Sequence, residues 1–198
     1  MCYISILYII NPIILEMNIH NYHINHPTQV ITTQLGVPQE YRQQCIKEIY
    51  RLGDSQDQQT NVKATMTSYL IFDESKVFDK LLDNILTVVN NFIDKPYDLQ
   101  YILRSAWGTI YKKDDYTIPH EHLPSNLSFV YYLQSSGNTP LVFDNCNFHI
   151  NPTDDRLAIF PAYLTHSVPK HGDEQDRVCI AGNLIANKKK KLQYSFSI

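Results

Sequence analysis

The period of the apolar residues changes once along this chain, at Pro96, and that change limits the fold more than any other feature. Before it, two stretches repeat at helical spacing. Tyr41, Cys45, Ile46, Ile49 and Leu52 lie on one face of a helix over 38–52, with Pro38 suited to its first turn and Gly53 to its stop. Val77, Leu81, Ile85, Val88, Val89 and Phe92 trace the face of a second helix over 75–94, which Pro96 closes. After Pro96 the pattern alternates to the end, in about eight short strands separated by turn residues. Tyr101, Leu103, Ser105, Trp107, Thr109 and Tyr111 are expected to share one face, and Leu127, Phe129, Tyr131 and Leu133 to share another. Asn138, Asn145, the stretch 152–155 and the stretch 170–173 read as turns. Helices followed by a run of strands predict a mainly β chain, an antiparallel barrel or jelly roll buttressed on one face by two α-helices.

A length of 198 residues suits one domain, 1–198, divided into an N-terminal extension (1–35), a helical support (36–96) and a β core (97–198). With 43% hydrophobic and 19% charged residues, disorder and coiled coil are excluded. A formal net charge of -3 removes any whole-surface attraction for nucleic acid, and the lysine run from Lys188 reads as a solvated turn or strand end. The four cysteines have no CxxC spacing, so reduced thiols in a cytoplasmic protein are expected. The apolar stretch 1–16 lacks a basic start and is interrupted at Asn11-Pro12, which argues against a signal or anchor. His20, His23 and His26 fall in a polar stretch, 18–35, that reads as an extended surface segment rather than a metal clip.

The residues able to carry chemistry lie in the β core. His120 and His122, between Pro119 and Pro124, are placed at the start of a strand running on to Leu133, where a period of two turns both imidazoles to one side. Imidazole ligates iron, zinc, copper and nickel, and a facial site needs a third ligand from a distant strand. His166 is that candidate. Asp144 and Glu121 rank below His122 as further ligands, and His149 and His171 read as surface residues. Arg177, eleven positions after His166, heads the alternating set Arg177, Cys179, Ala181 and Asn183. A guanidinium above small side chains inside a barrel offers a carboxylate a bidentate seat, and the competing reading pairs Arg177 with Asp173 or Asp176 at the surface.

The ordered set Tyr111, His120-x-His122, the run Ser128 to Leu133, Phe143-Asp144, Phe160-Pro161 leading to His166, and Arg177 to Asn183 resembles the 2-oxoglutarate and Fe(II)-dependent oxygenase superfamily. The likeness spans about residues 99–185, and is nearest to small bacterial and phage members whose first motif reads H-x-H. The resemblance implies a double-stranded β-helix core of jelly-roll, cupin-like type and a dioxygenase that hydroxylates a C–H bond. It implies Fe(II) held by His120, His122 and His166, with Arg177, Tyr111 and Asn183 on the 2-oxoglutarate cosubstrate. The superfamily's usual second ligand is an Asp or Glu two residues after the first His, and this chain has His122 there. Three imidazoles leave the iron complex one positive charge higher than a site with one carboxylate. Two other readings stay open: a cupin-like three-histidine metal enzyme that does not use 2-oxoglutarate, and a non-catalytic jelly-roll module binding a protein or glycan. Trp107, Tyr131 and Phe143 are candidate wall residues. The selecting loops are expected within 54–66 and 112–119, and the primary substrate is not encoded in any motif.

Overall fold

The computed structural model describes residues 29–53, 60–135 and 138–189 in full, and the backbone of 20–23. The extension 1–19, His26, and Lys190 onward lie outside the described residues. Two sheets face each other. The larger has seven strands in the order β1 (His20–His23), β2 (Gln29–Gln34), β10 (Arg156–Pro161), β7 (Leu127–Gln134), β12 (Arg177–Lys188), β5 (Leu99–Tyr111) and β4 (Thr65–Met66). The smaller has five: β3 (Val62–Lys63), β6 (Tyr116–His120), β11 (His166–Val168), β8 (Leu141–Phe143) and β9 (Phe148–Ile150). All pairings between these strands are antiparallel, as a jelly roll requires. Eight of the strands follow Pro96, in line with the alternating pattern.

The helices cover the outer face of the large sheet. They are α1 (Gln39–Leu52), the short α2 (Ile71–Glu74) and α3 (Asp79–Phe92), with a single 3-10 turn (Lys76–Phe78) leading into α3. Ile46 and Ile49 of α1 and Leu81, Ile85, Val88 and Val89 of α3 pack on Phe129, Tyr131, Ile110, Val178 and Ile180 of the sheet. Alternation then sends Cys179 and Tyr132 inward, where they meet Phe143, Phe160 and Val168 from the space between the sheets. Two glycines allow the close approaches. A Cβ at Gly108 would lie 2.7 Å from the Ile49 side chain of α1, and one at Gly182 would lie 2.6 Å from both the Phe129 ring and the Ser105 carbonyl. Asp155 ties the start of α1 to the sheet: its carboxylate accepts from the Gly36 and Val37 amides and from the Tyr131 hydroxyl.

Three expectations need correction. The stretch 18–35 is not a surface segment throughout, because β2 pairs with β10 and buries Val30, Ile31, Thr32 and Thr33. Ile31 faces the helices and Val30 the inter-sheet core, so both faces are covered and the polar threonines hide the strand signal. Next, β5 does not keep one face along its length. A bulge opposite Asn183 and Leu184 inserts Arg104 into the ladder, so Trp107, Thr109 and Tyr111 face the cleft while Tyr101 and Leu103 pack among the helices. Lastly, the HxH pair does not start β7. His120 ends β6 in the other sheet, and His122 lies in the turn over 121–126 that carries the chain across to β7. Pro119 and Pro124, which cannot donate to a ladder, flank that crossing.

Candidate metal centre

His120 and His166 are register partners on β6 and β11, at the edge where the two sheets open. Each turns its Nδ1 to the carbonyl two residues earlier, His120 to Ile118 at 2.9 Å and His166 to Leu164 at 2.8 Å. A carbonyl only accepts, so Nδ1 carries the proton and Nε2 keeps its lone pair. His122 reaches the same point from beyond the strand end, because its amide donates to the Ala162 carbonyl at 2.8 Å. One ligand atom from each of the three rings lies within 4.8 Å of the others. Burial lowers the pKa of all three: His122 to about 3 with help from His166 and His120, His166 to about 4 with help from His120, and His120 downward. Three neutral imidazoles, two of them with the second nitrogen fixed on a carbonyl, form a donor set suited to a divalent first-row metal.

The triad opens into a cleft between the sheets. Its far wall is the inward face of β12 and β5: Arg177, Cys179 and Ala181 beside Tyr111, Thr109 and Trp107. Arg177 is 2% exposed, so it is not the surface strand arginine of the competing reading. Its Nη1 donates to the Thr139 carbonyl at 2.8 Å, its guanidinium lies 4.1 Å from the Tyr111 ring centroid, and its Nε is buried with no hydrogen-bond partner among the described residues. An anionic oxygen entering the cleft would satisfy that orphaned donor, so the residues present fit a carboxylate ligand. Burial pushes Tyr111 up to about 12, and its hydroxyl shares a hydrogen bond of 2.7 Å with Thr117.

The other expected residues sort by position. Trp107 is 4% exposed, lines the cleft 5.7 Å from His122 between ring centroids, and meets Tyr69 edge-on at 5.2 Å. Phe143 packs behind the cleft, 6.5 Å from the His166 ring, and Tyr131 belongs to the helix-side core instead of the wall, where the inward residue is Tyr132. Asn183 is not among the cleft-lining residues: its Oδ1 accepts from Ser128 at 2.9 Å and its Nδ2 donates to Ser105 at 3.2 Å. Six residues separate it from Arg177 along β12, roughly 20 Å, so the two cannot grip one small cosubstrate. Asp144 accepts from Ser167 Oγ at 2.9 Å and is not a member of the ligand cluster, and Glu121 is exposed. His149 is exposed as expected, but His171 is 0% exposed, which corrects its reading as a surface residue. Its polar, turn-rich surroundings suggested exposure, whereas the folded loop encloses the ring. Thr139 was missed as well, since its role comes from its main-chain carbonyl, to which sequence gives no signal.

No family model and no curated protein sequence matches this chain. Solved structures do. A viral collagen prolyl hydroxylase from Paramecium bursaria Chlorella virus-1, in complex with 2-oxoglutarate, superposes with a TM-score of 0.60 at 13% identity, covering 78% of this chain and 94% of that one. HygX from Streptomyces hygroscopicus, with nickel and 2-oxoglutarate bound, gives 0.61 at 15% identity over 79% and 82%. A Pseudomonas putida prolyl-4-hydroxylase gives 0.58 at 12% identity over 79% and 91%. The chain therefore has the fold of the 2-oxoglutarate and Fe(II)-dependent oxygenases, a jelly-roll core with a few helices.

Proposed function

We propose that this chain is a non-haem Fe(II) and 2-oxoglutarate-dependent dioxygenase, an oxidoreductase that hydroxylates a substrate not yet identified. The observation that carries the reading is one cleft holding three converging neutral imidazoles and, deeper, a buried guanidinium with an orphaned donor. His120, His122 and His166 would hold the iron, and Arg177 with Tyr111 would hold the distal carboxylate of the cosubstrate. Iron with 2-oxoglutarate would supply the oxidation, with one oxygen atom of dioxygen ending in a substrate C–OH, the other in succinate, and carbon dioxide released. The chain's own share is placement. The carbonyls of Ile118 and Leu164 fix two rings, the guanidinium fixes the carboxylate, and the walls of Trp107, Tyr132 and Phe160 keep bulk water away.

Anaerobic addition of 2-oxoglutarate to the Fe(II)-loaded protein tests this without any substrate. A saturable visible charge-transfer band, lost in His166→Ala and weakened in Arg177→Ala, is the expected result. Stoichiometric iron without a band overturns the reading in favour of a cupin-like three-histidine enzyme whose substrate ligates the metal directly. The observation favouring that second reading is the third imidazole, His122, where the superfamily's usual ligand is a carboxylate. Failure to take up iron would support a binding module. Nucleic acid is not among the partners proposed, and among the described residues no helix is long and apolar enough to cross a membrane.

A further inference from the structure

His171 and Thr139 form a fully enclosed clasp behind Arg177. The His171 ring is 0% exposed and Thr139 is 4% exposed. His171 Nε2 lies 2.8 Å from the Gln175 carbonyl, which can only accept, so Nε2 carries the ring proton. Its Nδ1 is then an acceptor, and the Thr139 hydroxyl 3.3 Å away is the donor to it. The Thr139 carbonyl in turn accepts from Arg177 Nη1 at 2.8 Å. The main chain closes the circuit. The His171 amide donates to the Asp115 carbonyl and the Asp114 amide donates to the His171 carbonyl, both at 2.8 Å, which pins the turn that follows Tyr111. The Tyr111 ring is the surface against which the guanidinium lies.

We infer that His171 is a positioning residue for Arg177, acting through Thr139, and that it sets the affinity of the cleft for the distal carboxylate of its cosubstrate. This rests on the dioxygenase reading. An arginine has several donors and rotatable bonds, and holding one donor on a fixed carbonyl removes most of the freedom that binding would otherwise have to remove. The remaining donors of this cleft-lining residue are then held in one arrangement. Without the hydroxyl-to-imidazole bond, the 139 main chain loses its orientation and the guanidinium loses its fixed acceptor.

The test is the anaerobic 2-oxoglutarate titration of Fe(II)-loaded protein, made on paired variants. Thr139→Val removes the hydroxyl at nearly constant volume, and Thr139→Ser restores it. His171→Gln keeps a donor toward Gln175 but loses the acceptor for Thr139, while His171→Asn keeps an acceptor near the Nδ1 position. Thr139→Val and His171→Gln are expected to raise the 2-oxoglutarate Kd roughly five- to tenfold with iron affinity within about twofold of wild type, and Thr139→Ser and His171→Asn to restore it. Unchanged Kd in Thr139→Val, or an equal loss in Thr139→Ser, overturns the clasp and leaves the dioxygenase reading standing. Iron-loaded wild type that never saturates with 2-oxoglutarate overturns that reading and the clasp together.

Discussion

His120 and His166 face each other across the β6–β11 ladder, and each places Nδ1 on the carbonyl of the residue two positions earlier, Ile118 within β6 and Leu164 in the turn that leads into β11. The two rings are thereby aimed by main chain alone, at a ring-centroid separation of 4.4 Å. His122, beyond the end of β6, has no such support, and its placement depends on the hydrogen bond its amide donates to the Ala162 carbonyl in the loop after β10.

Loss of either register partner should abolish tight metal binding without unfolding the chain. His166→Ala is expected to weaken Fe(II) or Ni(II) by more than ~100-fold, measured by calorimetric titration, because the remaining pair of imidazoles cannot form a facial site. Retention of wild-type affinity would remove His166 from the ligand set.

His122→Asp places a carboxylate where the proposed superfamily usually has one. In a 2-oxoglutarate dioxygenase it should preserve or raise succinate formation, since the metal complex loses one positive charge. Collapse of turnover with iron still bound would instead show that the native reaction requires three imidazoles.

The chain has one tryptophan, and it stands 5.7 Å from the His122 ring. Ni(II) should therefore quench the intrinsic fluorescence of Trp107 saturably at one equivalent, and the quench should vanish in His166→Ala. An unquenched signal with nickel bound would place the metal elsewhere.

Acid should destabilise the metal-free protein. In the folded state His122 and His166 are held down to about 3 and about 4 by burial, against an ordinary value near 6.5 in the unfolded chain. The unfolded chain therefore takes up protons first as pH falls. This contribution to stability is complete above 6.5 and drains away as pH descends toward the folded values. Denaturant unfolding in chelator should lose about 2 to 4 kcal/mol between pH 7 and pH 5. A flat profile over that window would mean that the rings titrate normally.

Gly182→Ala should destabilise the fold by about 1 to 3 kcal/mol in urea unfolding, because the new methyl meets both the Phe129 ring and a rigid Ser105 carbonyl. A neutral effect would show that β5 and β12 can separate at the bulge.

Much of the site was legible because its residues sit on regular strands or carry unmistakable chemistry. Arg177, Cys179 and Ala181 line the cleft as period two requires, and the three imidazoles meet as expected, although His122 arrives from a turn and not from the strand its spacing suggested. Asn183 was carried one step too far along the same strand, since alternation tells which face a residue takes but not where a cleft ends. His171 looked like a loop histidine because burial in a loop comes from other segments folding over it.

From the sequence came the switch from helical to alternating period, the two long helices, the eight strands after Pro96 and the three histidines with their arginine. These follow from local side-chain spacing, which acts over a few residues. The tertiary structure decided the rest: that His120 closes a strand of one sheet and His122 follows it in a turn instead of the pair opening the other sheet, that β2 belongs to the large sheet, and that the Arg104 bulge turns Tyr101 and Leu103 toward the helices. Each of these depends on register between strands distant in the chain, and register is chosen by the summed packing of both sheets at once.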